Sequence, residues 1–168
     1  EWNTISYTPA RRLTVQTTSA GSTAMDFRLA ALDRTTAVDR SYFANVCFLG
    51  DSLTQGMQIY SSGLPEASFC AYRGANPSVV VNGTTCKRSD GGTEVPMEVL
   101  TARQPPVLYI LLGTNTLTTL GAADRFLAYY GQMLDQLRQA LPGCVIYVQS
   151  IPPVRPQAAA EKLSLIHI

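Results

Sequence analysis

Four apolar runs punctuate the chain, at residues 45–49, 68–72, 107–112 and 144–149. Each is short, rich in branched or aromatic side chains, and ends in Gly, Asn or Pro, as buried strands do. The run Val107-Leu108-Tyr109-Ile110-Leu111-Leu112 is apolar on both faces, which places it centrally in a sheet. Between the runs lie helical patterns. Gly50 breaks the first strand, Asp51 and Ser52 are good N-caps, and a helix over 53–60 puts Leu53, Met57 and Tyr60 on one face. Thr93 can cap a helix running to 103, with Pro96 tolerated in its first turn. Residues 122–140 repeat apolar positions at Phe126, Tyr130, Met133, Leu134 and Leu137, and on to Leu141, before Pro142-Gly143 stops the helix. Val79-Val80-Val81 followed by Asn82-Gly83 reads as a strand and turn, one arm of a surface hairpin, with a polar loop at 87–92. The order β-α-β-α-β-α-β predicts an α/β fold with right-handed crossovers and a parallel sheet.

The flanks differ from this core. Residues 1–40 alternate like strands in places, as in Ile5-Ser6-Tyr7-Thr8 and Leu13-Thr14-Val15-Gln16-Thr17, and read as an extended linker packed along the main domain. Tyr7-Thr8-Pro9 and the run from Phe27 to Asp33 also faintly resemble the last strands of bacterial immunoglobulin-like surface modules. Residues 36–43 lead in as a helical turn or loop. The chain begins at Glu1 rather than Met and so reads as a fragment or a processed form.

Composition narrows the possibilities. At 168 residues the chain is long enough for one α/β domain with its own core. A formal net charge of +1, with no long basic run, gives no support to nucleic-acid binding. No stretch approaches the ~20 apolar residues of a membrane span. The four cysteines lack C-x-x-C spacing, which argues against zinc; Cys47 and Cys144 read as small buried hydrophobes, and Cys70 and Cys86 could pair in an oxidising compartment.

Candidate chemistry gathers at two strand ends. Gly50-Asp51-Ser52-Leu53 stands where a strand meets a helix N-terminus, and it resembles the nucleophile block of the GDSL, or SGNH, hydrolases. Leu112-Gly113-Thr114-Asn115, after the central strand, resembles their Gly-x-Asn block, in the expected order. The resemblance covers residues 41–162 and implies a flavodoxin-like three-layer α/β/α sandwich, here missing its last strand and helix. It implies a serine esterase of bacterial origin, extracellular or at the cell surface, acting on small acyl esters such as O-acetyl carbohydrate, with no metal or organic cofactor. Carried over residue by residue, Ser52 is the nucleophile, and its own N–H, the Gly74 N–H and the Asn115 amide are the oxyanion donors. Gly83 is the alternative to Gly74, which is preferred because it directly follows a strand. Thr116 stands where the family usually has Asp.

The base is the gap in this pattern. A serine nucleophile needs one, and the family supplies it from a late Asp-x-x-His block. The single histidine, His167, has Ser164 three residues before it in place of Asp. The tail Leu163-Ser164-Leu165-Ile166-His167-Ile168 resembles a translated sequencing adapter, so residues 163–168 read as an assembly scar and His167 receives no role. The chain as given is therefore expected to be nearly inactive. The rival expectation is a non-catalytic module that holds a phosphate or carbohydrate ligand at the strand–helix junction.

Overall fold

In a computed structural model, residues 36–60, 63–116 and 122–152 are described. After a 3-10 turn at Arg40–Asn45 come β1 (Val46–Gly50), α1 (Ser52–Ile59), β2 (Ser68–Ala71) and α2 (Pro77–Val81). Next are β3 (Cys86–Lys87), β4 (Thr93–Glu94), α3 (Pro96–Arg103), β5 (Val107–Leu111), α4 (Ala122–Ala140) and β6 (Val145–Val148). β2, β1, β5 and β6 form one parallel sheet in that spatial order, and β3 pairs antiparallel with β4. The expected α/β architecture is therefore present, with β1 and β5 as its central strands.

One sheet face carries the main core. Cys47, Leu49, Cys70, Leu108 and Ile110 meet Phe126, Tyr130, Met133 and Leu137 of α4 there. The stripe read from the sequence is the face α4 buries, with Leu134 packed at its margin. The opposite face carries a row of rings. Phe48 pairs in register with Phe69 and Tyr109, and Tyr109 with Tyr147. Successive ring centroids lie 5.3, 5.5 and 4.9 Å apart, near-parallel. Direct cross-strand aromatic pairs of this kind stabilise sheets by roughly 0.2–1 kcal/mol each.

Several sequence expectations are corrected. Val79-Val80-Val81 is helical, not a strand: Asn76 accepts from Ser78 N–H as N-cap, and Pro77 fits the first position of α2. The hairpin arms are β3 and β4 instead. Thr93 therefore caps nothing; α3 starts at Pro96 after Val95, which makes no side-chain cap bond. α1 buries Thr54 rather than the face of Leu53 and Tyr60, which are 47% and 83% exposed. Among the described residues β6 is not a buried strand: it lies at the end of the strand order, with Val145 and Val148 exposed.

The cysteines are all free. Cys70 lies 3.9 Å from Cys47, not against Cys86. Cys47 pairs with Ser68 and Cys70 with Leu49, so the two thiols meet diagonally across the strands. Such a diagonal spans roughly 8 Å between Cα atoms, beyond the roughly 7 Å a disulfide tolerates. Cys70 is pushed above the ordinary thiol range by Cys47 beside it and by burial. Mild oxidation of the folded protein is expected to leave both thiols free, counted with a thiol reagent after unfolding. A Cys47–Cys70 bridge found by peptide mapping would show that the strands shift more easily than their pairing implies.

The chain divides into two compact units, Glu1–Val38 and Asp39–Ile168, and every element above belongs to the second. The linker reading of residues 1–40 falls almost wholly outside the described residues, as do residues 163–168. Among the described residues no helix is long and apolar enough to cross a membrane.

Candidate active site

Three strand ends lie level. Gly50 of β1 is paired with Ala71 of β2 on one side and with Leu111 of β5 on the other. Ser52, Gly74 and Asn115 follow these residues within a few positions, so all three reach the carboxyl edge of the sheet.

Ser52 is the first residue of α1 and is exposed. The residue that caps the helix is Asp51, whose Oδ1 accepts from Leu53 N–H at 2.9 Å. This leaves the Ser52 hydroxyl free of the capping role and its N–H among the unpaired donors of the first turn. Gly50 makes the tight entry possible. A Cβ there would lie 1.9 Å from Thr54 Oγ1 and 2.9 Å from the Leu111 carbonyl oxygen.

Gly74 sits in the turn Tyr72-Arg73-Gly74-Ala75, closed by Ala75 N–H donating to Tyr72 O at 3.0 Å. Its φ of 77° is the left-handed value a type II turn needs at that position. The turn is braced from below. Tyr72 is buried, and its hydroxyl donates to Glu94 Oε1 at 2.8 Å. Desolvation, then the Cys70 and Glu94 groups, push the Tyr72 phenol well above its ordinary range, so it stays a neutral donor. Gly83, the alternative, ends α2 and donates its N–H to Val80 O. Among the described residues no acceptor takes the N–H of Ser52 or of Gly74.

Asn115 ties the edge together. Its Nδ2 donates to Asp51 Oδ2 at 3.2 Å and to Ala75 O at 3.3 Å. Thr114 Oγ1 donates to the same Asp51 oxygen. The loops after β1, β2 and β5 are thus joined through one side-chain amide and one carboxylate. Asp51 is fully buried. The sequence marks it as a cap but carries no sign of this second role, nor of the part played by Thr114. Both depend on strand order, which brings residues 51 and 114 together. Thr116 N–H closes a turn onto Gly113 O at 3.1 Å. His167 lies outside the described residues.

The model of the GDSL-like lipase/acylhydrolase family matches residues 48–164, well over half of the chain. The chain belongs to this family. The family match begins inside β1 and takes in all three strand-end blocks. A search of curated proteins found no match. Among solved structures, one described as a GDSL-like lipase from Parabacteroides merdae is 17% identical, with a TM-score of 0.44, covering 61% of this chain and 57% of that one. A carbohydrate esterase family 3 structure from Talaromyces cellulolyticus is 20% identical, with a TM-score of 0.41, covering 61% of this chain and 59% of that one. A structure described as a platelet activating factor from Streptococcus pneumonia is 14% identical, with a TM-score of 0.49, covering 70% of this chain and 55% of that one. The chain thus spans less than two thirds of the length of each of these proteins.

Proposed function

We propose that the strand-end cluster is the acyl-transfer half of a serine esterase site. Membership of the GDSL-like lipase/acylhydrolase family supports ester hydrolysis as the reaction class. The observation that supports the residue assignment is an exposed Ser52 on the same sheet edge as two backbone N–H groups, of Ser52 and Gly74, that have no acceptor among the described residues.

In this reading Ser52 Oγ attacks the ester carbonyl carbon and loses its proton to a base. The carbonyl oxygen becomes an oxyanion, and the N–H groups of Ser52 and Gly74 donate to it. The Asn115 amide supplies the third donor by exchanging its bond to Ala75 O, which at 3.3 Å is longer than an ordinary N–H···O bond. Collapse of the intermediate expels the alcohol, and water then releases the acid from Ser52. Ser52 and Asn115 both reach the surface, which suits a short acyl group carried by a bulky alcohol, such as an O-acetyl carbohydrate. Such substrates fit an extracellular or cell-surface site of action. No step calls for a metal or organic cofactor.

A pure phosphate-binding role is less consistent with the same edge. The Asp51 carboxylate already takes the Leu53 N–H at the start of α1, so that donor is not free for a phosphate oxygen.

Two outcomes test the reading. Asn115→Ala, in the full-length protein supplied with its base, is expected to lower kcat on short aryl esters by about 10²–10³-fold. An unchanged kcat would remove Asn115 from the mechanism. Residues 1–168 alone carry no Asp-x-x-His block, so they are expected to hydrolyse acetyl esters barely above background. Only the ~10³–10⁴-fold over water that an oxyanion hole and binding provide remains without a base. His167→Ala is expected to change nothing; turnover that vanishes in this variant would make His167 the working base.

A further inference from the structure

Asp51 does more at this edge than a helix cap requires. Capping α1 needs one acceptor atom, and Oδ1 supplies it to Leu53 N–H. Serine would serve that purpose as well. Yet a full carboxylate is buried here, with none of its surface exposed and no cation paired with it among the described residues. Burying a charge without a counter-charge is costly unless hydrogen bonds satisfy it. The bonds that satisfy the second oxygen come from Thr114 Oγ1 and Asn115 Nδ2.

We propose that Asp51 is a positioning residue for the Asn115 amide: its Oδ2 decides which end of that amide faces the reacting oxygen. This rests on the oxyanion role proposed for Asn115. A primary amide can turn over, exchanging its oxygen and nitrogen at little cost in shape. A carboxylate oxygen accepts only, so beside Asp51 the amide must present its NH2. With NH2 fixed inward by Asp51, the second N–H points along the edge toward Ala75 O, where the oxyanion would replace it. Thr114 helps by a separate bond to the same carboxylate oxygen.

Two substitutions separate this role from capping. Asp51→Ser keeps an N-cap acceptor but removes the second oxygen. Asp51→Asn keeps shape and cap, but can offer an NH2 where Asn115 now donates, which favours the turned-over amide. In the full-length protein both are expected to lower kcat on short aryl esters by about 10²-fold, with KM changed less than about threefold. Combining either with Asn115→Ala is expected to add almost nothing beyond Asn115→Ala alone, because both act on one donor. Within the 168-residue chain, the side-chain NH2 resonances of Asn115, assigned by their loss in Asn115→Ala, are expected to move and exchange faster in Asp51→Ser while the melting temperature holds. Effects that multiply in the double variant, or Asn115 resonances that stay put in both Asp51 variants, would overturn the proposal. Normal turnover in Asn115→Ala would instead overturn the oxyanion reading. It is told apart because the Asp51 variants would still shift the amide resonances without changing kcat.

Discussion

Replacing Ser52 by alanine is expected to abolish ester hydrolysis in the full-length protein, a loss on the order of 10⁶-fold in kcat if the nucleophile acts as one unit with its base. Asn115→Ala is expected to stop at about 10²–10³-fold, because in the proposed mechanism it removes one of three donors and leaves the covalent route open. The gap between the two values is the informative quantity. A nucleophile forms the bond that every later step depends on; a donor only lowers the energy of the charge that results. Ser52→Ala should also leave the fold intact. Ser52 is exposed, Asp51 holds the cap, and exposed substitutions of this kind usually shift stability by less than about 0.5 kcal/mol. The check is a matched pair of melting curves beside the assay, with covalent labelling of Ser52 by an aryl phosphonate as a third readout. Hydrolysis that survives in a well-folded Ser52→Ala protein would move the nucleophile elsewhere and leave the strand-end cluster as a binding edge.

The sheet and its long helix were legible because their signals are local. β1, β2 and β5 appear within a residue or so of their expected places. α4 was readable to the residue, since 19 residues of helical period leave little ambiguity. The failures share a cause as well. Val79-Val80-Val81 has strand composition, but Asn76 and Pro77 before it start a helix, and a short apolar run alone does not choose between the two. Thr93 looked like a cap until β4 claimed it for pairing with β3. The aromatic row needed register: nothing local says that Phe48, Phe69, Tyr109 and Tyr147 stand side by side.

The site follows the same division. Ser52 and Asn115 are singled out by short motifs at strand ends, and Gly74 by its place after β2; the structure puts all three on one sheet edge. What joins them was invisible, because Asp51 meets Asn115 only once β1 and β5 are neighbours. The exposed side of β6 shows the limit from another direction. Its apolar sequence reads as buried, and burial depends on what lies beside a strand as much as on its own residues.

Gly50→Ala is expected to be the most damaging single methyl group at this edge, costing about 3 kcal/mol and lowering the melting temperature by roughly 10 °C. The added Cβ would lie 1.9 Å from Thr54 Oγ1, 2.6 Å from Thr54 Cβ and 2.9 Å from the Leu111 carbonyl oxygen. Rotating the Thr54 side chain relieves only the first contact. The second involves an atom fixed to the α1 backbone, and the third is backbone of β5. Relief therefore requires α1 to lift away from the sheet, and Thr54, the one residue of α1 that is buried, would lose its seat. The same movement would carry Asp51 away from Thr114 and Asn115, so activity should fall further than stability alone explains. Gly56→Ala is the control on the same helix. A Cβ there meets only the Tyr60 ring, at 3.8 Å, so the variant should gain about 0.5–1 kcal/mol from helix propensity. Thr54→Ala added to Gly50→Ala should restore part of the loss but not all, because the Cβ contact remains. Thermal melts of the three variants decide the matter. A Gly50→Ala protein that melts with the wild type would mean that α1 does not sit against β1 and β5 as closely as the site requires.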